Sequence, residues 1–291
     1  MKEKLKKVYN ALPFKMQIFS FVKLFWKPNR SIYQHLHFTG IIKVPIGKLG
    51  SFKMKHYGFQ IENDIFWSGL TNGWEKVSTN LWITLCKNAS VILDIGANTG
   101  IYALIAKTIN PGSKVYAFEP VKRVFEKLEE NITLNKFDII AFEKAVSNSN
   151  GTAVIYDDAG EHIYSVTVNK NMVSPGVKAI ETKIETITLN SFIRQNNLSH
   201  IDLIKIDVET HEPEVLQGFN EYLSVFKPTM LVEVLDDEVG EKINNIVSGL
   251  GYLYFNIDEE KGIRQVTNIT KSDYYNYLFC DEKVARELGL I

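Results

Sequence analysis

Cysteine is scarce in this sequence, and neither sign of charge is in clear excess. The two cysteines, Cys86 and Cys280, lie far apart and match no spacing typical of a zinc or haem site. Their scarcity fits a reducing compartment, so we expect a cytoplasmic protein. The formal net charge is −1 at pH 7, and it therefore gives no reason to expect a nucleic acid partner.

Long apolar runs are also absent. The most apolar stretch near the start, residues 14–26, is too short to span a bilayer and is interrupted by Lys15 and Lys23. A signal peptide fits poorly as well, because no small-residue cleavage site follows clearly. The 291 residues, 45% of them hydrophobic and 23% charged, fit a globular α/β domain with an appendage.

The first thirty residues are nonetheless strongly basic. They hold eight lysines and arginines against one acid, Glu3, so this segment carries +7 and the remainder −8. Five apolar side chains here share one face of a predicted helix, namely Phe14, Ile18, Phe21, Val22 and Phe25. Such a helix can contact the inner face of an anionic membrane through residues 1–30. It more often packs on its own protein or on a dimer partner, and the sequence leaves both interpretations open.

From residue 91 onward, short apolar runs alternate with amphipathic segments, which predicts a mostly parallel sheet with crossover helices. The predicted strands span residues 91–95, 114–118, 139–146, 202–207, 229–234, 252–256 and 276–280. Residues 147–187 break this rhythm and predict an inserted β-hairpin, whereas residues 31–80 predict strands and turns. We therefore divide the chain into residues 1–74, a basic helical arm with a small β and loop region, and a domain of residues 75–291.

A glycine-rich turn follows the first of these strands and opens a helix. It reads Asp94-Ile95-Gly96-Ala97-Asn98-Thr99-Gly100. Glycine lets backbone N–H groups approach a ligand, and a helix start favours anions. A dinucleotide fingerprint would need a glycine at Asn98, so an amino acid carboxylate and a nucleoside fit this turn better than a pyrophosphate.

Two further signals lie at strand ends, where ligands of open α/β sheets collect. Glu119 ends the next strand, nineteen residues after Gly100, where a carboxylate can accept both ribose hydroxyls. Asp207 ends a later strand and opens the polar run Asp207-Val208-Glu209-Thr210-His211-Glu212. This run can line an active site, and it can equally serve as ordinary helix-start chemistry.

Taken together, these runs resemble FkbM-type methyltransferases. The resemblance rests on residues 94–100, Glu119-Pro120, the run Glu130-Asn131-Ile132-Thr133-Leu134-Asn135 and residues 201–218, with Trp74-Glu75 and Leu231-Val232-Glu233 also similar. It covers roughly residues 70–235. The family usually has Glu-Gly-x-Glu where this chain has Glu209-Thr210-His211-Glu212, so Thr210 adds a Cβ where glycine is usual.

The resemblance implies a class I methyltransferase (Rossmann-like) fold. Its seven-stranded sheet has the order 3-2-1-4-5-7-6 and is mostly parallel with an antiparallel last strand. It also implies S-adenosylmethionine as cofactor and O-methylation of a hydroxyl, often on a sugar or a natural product. We expect the acceptor to be a small molecule, a glycan or a lipid-linked glycan. The cofactor-binding residues implied by the matching positions are Glu75, Asp94, Gly96, Ala97, Asn98, Gly100, Glu119, Pro120, Ala145 and Asp207.

A hydroxyl that accepts a methyl group loses a proton, so a base is useful. His211 is the first candidate because its ordinary pKa suits the task, and Asp207 is the second. Asp207, Glu209 and Glu212 could also hold Mg²⁺, although the sequence gives no decisive ligand set. Two alternatives remain for the function: a protein acceptor, or a nucleoside-binding module that has lost catalysis.

Overall fold

A central sheet organises the molecule, whose computed structural model describes residues 9, 12–158, 166–167 and 179–291. Its strands are β3 Val91–Ile95, β4 Lys114–Phe118, β5 Ile140–Phe142, β10 Leu203–Ile206, β11 Thr229–Glu233, β12 Leu253–Asp258, β13 Gly262–Val266 and β14 Asn276–Cys280. They lie in the order β13-β12-β14-β11-β10-β3-β4-β5. Among these eight strands, β13 and β14 run in the direction opposite to the other six.

This order confirms the predicted class I methyltransferase fold. Seven of the strands follow the order 3-2-1-4-5-7-6, with β14 as the antiparallel strand between β11 and β12. Among the described residues the sheet has an eighth strand, because β13 pairs with β12 through a hairpin at the edge. The predicted number of seven omits this edge strand.

Helices cover both faces of the sheet. They are α1 Lys15–Val22, α2 Arg30–Tyr33, α3 Gln60–Ser68, α4 Lys76–Cys86, α5 Ile101–Ile109, α6 Lys122–Asn135, α7 Leu189–Gln195, α8 Glu212–Gln217, α9 Asn220–Phe226, α10 Asp237–Val247 and α11 Glu282–Glu287. Successive residues of β3 enter opposite apolar clusters, Ile92 on one face and Leu93 on the other. Burial on both faces explains why the central strands are apolar throughout rather than alternating.

The region before residue 75 contains a hairpin, β1 Gly40–Pro45 with β2 Ser51–His56, that packs against α6. Predicting only strands and turns for residues 31–80 was wrong, because α3 and the start of α4 are helical. Gly58 and Gly69, both at positive φ, flank α3 instead of joining strands. One apolar cluster joins Phe19 and Met54 to Ile92, so the core runs across the proposed boundary at residue 75. That boundary stays a prediction.

The insert after β5 forms a second sheet, with β6 Ala145–Val146, β7 Gly151–Asp158, β8 Val166–Thr167 and β9 Ala179–Ile187 in the order β6-β9-β7-β8. The antiparallel pairing of β7 with β8 and β9 agrees with the predicted inserted hairpin. Residues 159–165 and 168–178, which include parts of the predicted strands, lie outside the described residues. A single strand over residues 139–146 was wrong, because the chain leaves the central sheet after Phe142 and joins the second sheet at Ala145.

At the N-terminus, α1 is shorter than the apolar stretch 14–26, and its polypeptide turns after Val22. Phe19 is buried and Met16 and Val22 are partly buried against the core, whereas Phe14, Ile18, Phe21 and Phe25 are exposed. Packing of the apolar stripe on the body of the protein was therefore wrong for four of its five side chains, and Val22 is the one that packs as predicted. None of the helices formed by the described residues combines the length and the apolar composition that a membrane crossing needs.

Candidate active site

The glycine turn lies at the carboxyl end of β3, pressed against the turn that follows β10. Gly96 has a φ of +80°, and an added Cβ would lie 1.8 Å from the Asp207 carbonyl oxygen. Its N–H and that of Ala97 donate to the Phe118 carbonyl oxygen, at 3.0 and 2.9 Å. The position therefore requires glycine for close packing of two turns. Asn98, next along the turn, also has positive φ, at 53°.

Glu119 lies beside this turn and is almost buried. Its Oε2 accepts the Asn98 N–H at 3.0 Å and its Oε1 accepts the Val121 N–H at 3.0 Å. Burial raises the pKa of Glu119 to about 7, against the opposing effect of these two hydrogen bonds. The carboxylate thus fixes the turn and also borders the cleft, where each oxygen has a further lone pair for a ligand hydroxyl.

A buried ion pair forms the floor between β10 and β11. Lys205 is 1% exposed, and its Nζ lies 2.8 Å from Asp207 Oδ2. Burial lowers the pKa of Lys205, but the carboxyl groups of Asp207, Glu75 and Glu233 outweigh it and the net shift is upward. Burial, followed by the Asp207 carboxylate, raises the pKa of Glu233, which is hydrogen bonded to Asp207. Lys205 therefore forms an ion pair with Asp207, and the carboxyl group of Glu233 lies beside that pair.

Two more acids lie beside this floor, Asp94 on β3 and Glu75 in the segment before α4. Asp94 is 1% exposed, accepts the Ala103 N–H at 2.9 Å, and has its pKa raised by burial to about 7. Glu75 accepts a hydrogen bond from the Tyr102 hydroxyl, and burial raises its pKa. The Tyr102 ring lies under Lys205 Nζ, 4.9 Å from its centroid. These contacts join β3, α5 and β10 into one polar network.

The turn after Asp207 is strained. Glu209 and Thr210 have φ values of +55° and +76°, in the left-handed region that favours glycine. The Val208 N–H donates to Glu212 Oε1 at 3.0 Å, while Glu212 Oε2 is buried without a hydrogen-bond partner in the described structure. Burial raises the pKa of Glu212 to about 8. Glu212 therefore closes the turn from inside rather than facing a ligand.

His211 borders the cleft, and both of its ring nitrogens have protein partners. Nε2 lies 2.9 Å from Ser147 Oγ and Nδ1 lies 3.5 Å from Glu214 Oε2. Burial lowers the pKa of His211, against the opposing effect of Glu214, so the ring is neutral at pH 7. A neutral imidazole can accept a proton, but one ring nitrogen must first leave its partner.

The cleft between these strand ends encloses about 260 Å³. Ten of the eleven residues predicted for the site border it, namely Glu75, Asp94, Gly96, Ala97, Asn98, Glu119, Pro120, Ala145, Asp207 and His211. Gly100 does not border the cleft that the described residues form. An added Cβ there would lie 2.5 Å from Leu128 Cδ1, so Gly100 allows α5 and α6 to pack closely.

Sequence reasoning assigned no role to four residues that border the cleft: Trp74, Tyr102, Lys205 and Glu233. A signal existed for Lys205, because a lysine inside a run of apolar residues in a buried strand needs an anionic partner. Glu233 directly follows Val232, the residue that pairs with Ile206 across the sheet, so it stands beside Asp207. Only the strand order reveals that proximity.

The residues of the cleft fit S-adenosylmethionine. The Thr99 hydroxyl borders the cleft, is buried and has no hydrogen-bond partner in the described structure, so it can donate to the carboxylate of an amino acid. Glu119 can accept ribose hydroxyls, and the acidic floor suits the cationic groups of the cofactor. No group of three histidines, cysteines or acids within the described ranges is arranged to hold a metal ion.

Comparisons with known proteins find methyltransferases. The family model of the methyltransferase FkbM domain matches residues 94–254, more than half of the chain. Methyltransferase sdnD of Sordaria araneosa is 28% identical over 45% of this chain and 60% of its own length. Hexuronic acid methyltransferase AglP of Haloferax volcanii is 28% identical over 46% and 51%, and 2-O-methyltransferase NoeI of Sinorhizobium fredii is 30% identical over 51% and 65%.

The chain thus spans less than two thirds of each of these relatives. Among solved structures, methyltransferase FkbM from Methylobacillus flagellatus is similar, with a TM-score of 0.41 and 14% identity over 66% of this chain and 43% of the other. By the family match over residues 94–254, the chain belongs to the FkbM methyltransferase family.

Proposed function

We propose that this protein is an S-adenosylmethionine-dependent O-methyltransferase that methylates a hydroxyl of a sugar, a glycan or a natural product. One observation carries the proposal: the glycine turn, Glu119 and Asp207 lie at the ends of three neighbouring strands and border one cleft. Relatives named for a hexuronic acid, for 2-O-methylation and for 31-O-demethyl-FK506 support a hydroxyl-bearing acceptor.

In this proposal the chain positions the cofactor through three features. Gly96, Asn98 and Thr99 hold the amino acid end of the cofactor, and Glu119 accepts the ribose hydroxyls. The acidic floor around Asp207 lies near the cationic groups of the cofactor. Bound S-adenosylmethionine supplies a methyl carbon that its sulfonium already activates. The protein mainly aligns the acceptor hydroxyl with that carbon and keeps water out.

The acceptor proton has two candidate receivers at the cleft. His211 is neutral and can take the proton at a ring nitrogen once that nitrogen leaves Ser147 or Glu214. Asp207 is the second candidate, and its Oδ2 lies 2.8 Å from Lys205 Nζ. Both side chains border the cleft, so their positions do not identify the base. Separate substitution of each residue does.

A paired assay tests the function. Calorimetric titration with S-adenosylmethionine measures cofactor binding, and methyl transfer to a panel of glycans and hydroxylated natural products measures turnover. Binding together with transfer to a hydroxyl supports the proposal. Transfer to a protein acceptor would replace the proposed acceptor class, and binding without any transfer would identify a nucleoside-binding module that lacks catalysis.

A further inference from the structure

Exposed apolar side chains are concentrated near the N-terminus. Seven of them lie within residues 12–26 and form what we call the N-terminal patch: Leu12, Phe14, Ile18, Phe21, Leu24, Phe25 and Trp26. Phe14, Phe21, Leu24 and Phe25 are between 65% and 78% exposed. The rings of Phe21 and Phe25 lie 5.3 Å apart, so these two side chains form one apolar surface. An exposed apolar surface of this kind marks an interaction site.

The opposite side of the same segment is anchored to the protein. The Phe19 ring packs against Phe38 at 5.8 Å and Trp67 at 5.5 Å, and Lys23 Nζ donates to the Phe66 carbonyl oxygen. Because these contacts fix the orientation of the segment, the patch faces outward as part of the folded structure. The exposure of the patch is therefore a property of the folded structure.

Charge identifies the partner. Lys27 and Arg30 are exposed next to the patch, and residues 1–30 carry +7 on a chain whose remainder carries −8. Aromatic and aliphatic side chains beside basic residues are the combination that binds the interface of an anionic bilayer. Two copies of the chain meeting at this patch would instead bring the Lys27 and Arg30 side chains of both copies together, which opposes self-association. We propose that the N-terminal patch is a docking surface for anionic lipid membranes.

The patch is linked to one wall of the cleft. Phe14 and Lys15 line a surface groove together with Tyr57 and Gly58. Ile61, which follows Gly58 by three residues in the chain, borders the cleft. Docking would thus place the membrane on the side of the molecule that carries this groove, close in the chain to Ile61. The docking proposal itself does not depend on the proposed methyl transfer.

Co-sedimentation with vesicles tests the docking surface on the full chain. The probes are vesicles of phosphatidylcholine alone and vesicles with about 30% phosphatidylglycerol, at low and high salt. We expect binding to the anionic vesicles only, with at least a tenfold loss at high salt. The triple variant Phe21→Ser, Leu24→Ser, Phe25→Ser should also bind at least tenfold more weakly, because it removes exposed apolar groups without touching the core.

A matched control carries Leu49→Ser, Ile140→Ser and Val225→Ser, which replace exposed apolar side chains elsewhere. It should bind vesicles as the unaltered chain does, and unchanged cofactor affinity in both triple variants shows that they fold. Equal vesicle binding by the patch variant and the control would overturn the proposal. Failure of the unaltered chain to bind anionic vesicles would also overturn it. So would dimers of the unaltered chain that persist in the control and dissociate in the patch variant.

Discussion

Lys205 sets the electrostatics of the cleft floor. A fully buried ammonium is stable only beside anionic groups, and Asp207 Oδ2 lies 2.8 Å from its Nζ. Glu233 lies beside this pair, and burial, followed by the Asp207 charge, raises its pKa. Lys205 and Glu233 thus both contact Asp207 at the floor of the cleft.

The first prediction concerns His211. If it is the base, His211→Ala should lower turnover by about 10²–10⁴-fold with little change in cofactor affinity. Because burial lowers its pKa, the neutral form persists below pH 6.5, and turnover should decline only as pH falls through that lowered value. His200→Ala is the control, since His200 is half-exposed and contacts Ser90 and Asp202, away from the cleft.

Asp207 becomes the better candidate if His211→Ala keeps full turnover. Loss of that turnover on addition of a chelator would instead show that carboxylates hold a metal ion. Either result would contradict the assignment of His211 as the base.

At the scale of elements, ionisation of Glu212 in the turn between β10 and α8 destabilises the native state. Its pKa of about 8 lies well above the value of an unfolded glutamate, so the native state binds the proton more tightly. The associated stability is fully present below about pH 4.3 and is lost as pH rises through 8. The free energy of unfolding of Glu212→Gln should therefore match that of the unaltered chain at about pH 4.

At pH 8.5 the same variant should be more stable by roughly 1–3 kcal/mol, because its amide never ionises. Urea unfolding at the two pH values measures this difference. The idea fails if the variant is equally destabilised at both, which would mean that the turn needs a carboxyl for reasons other than charge.

Asn131 connects the N-terminal hairpin to the cofactor turn. This buried side chain accepts the Lys55 N–H at 2.9 Å and donates to the Thr99 carbonyl oxygen at 2.9 Å. Asn131→Ala leaves both backbone groups unpaired, so it should destabilise the fold by roughly 2–4 kcal/mol and weaken cofactor binding through Thr99. Asn135→Ala removes similar bonds to Lys53 on the exposed side and should cost less than half as much. Equal losses in thermal or urea unfolding would contradict this account.

How well elements could be predicted depends on how local their causes are. Apolar runs buried on both faces identified β3, β4, β10 and β11, because burial alone makes such strands apolar. The division of residues 139–146 between two sheets was not predictable, since it depends on pairing of Ala145 with Thr186, far along the chain. For the same reason Asp207 could be identified from its motif, whereas Glu233 required the strand order.

At the scale of the whole molecule, the cofactor site and the N-terminal patch have different physical causes. The cleft collects residues from strand ends because a parallel sheet aligns its carboxyl ends on one edge. The patch exists because α1 buries Phe19 and leaves four of the five side chains of the predicted apolar stripe exposed. The sequence predicts the stripe itself, but its direction depends on contacts with Phe38 and Trp67 that no local pattern encodes.

The central claim is that the cleft binds S-adenosylmethionine through Glu119, and calorimetric titration of the full chain tests it most directly. Glu119→Gln keeps the volume and one acceptor for the backbone N–H groups, so it should stay folded by thermal unfolding. Glu126→Gln, on the exposed face of α6, is the control. The account predicts one site per chain, unchanged affinity in the control and at least a tenfold loss in Glu119→Gln, about 1.4 kcal/mol. Equal affinity in both variants, or no binding by the unaltered chain, would contradict it.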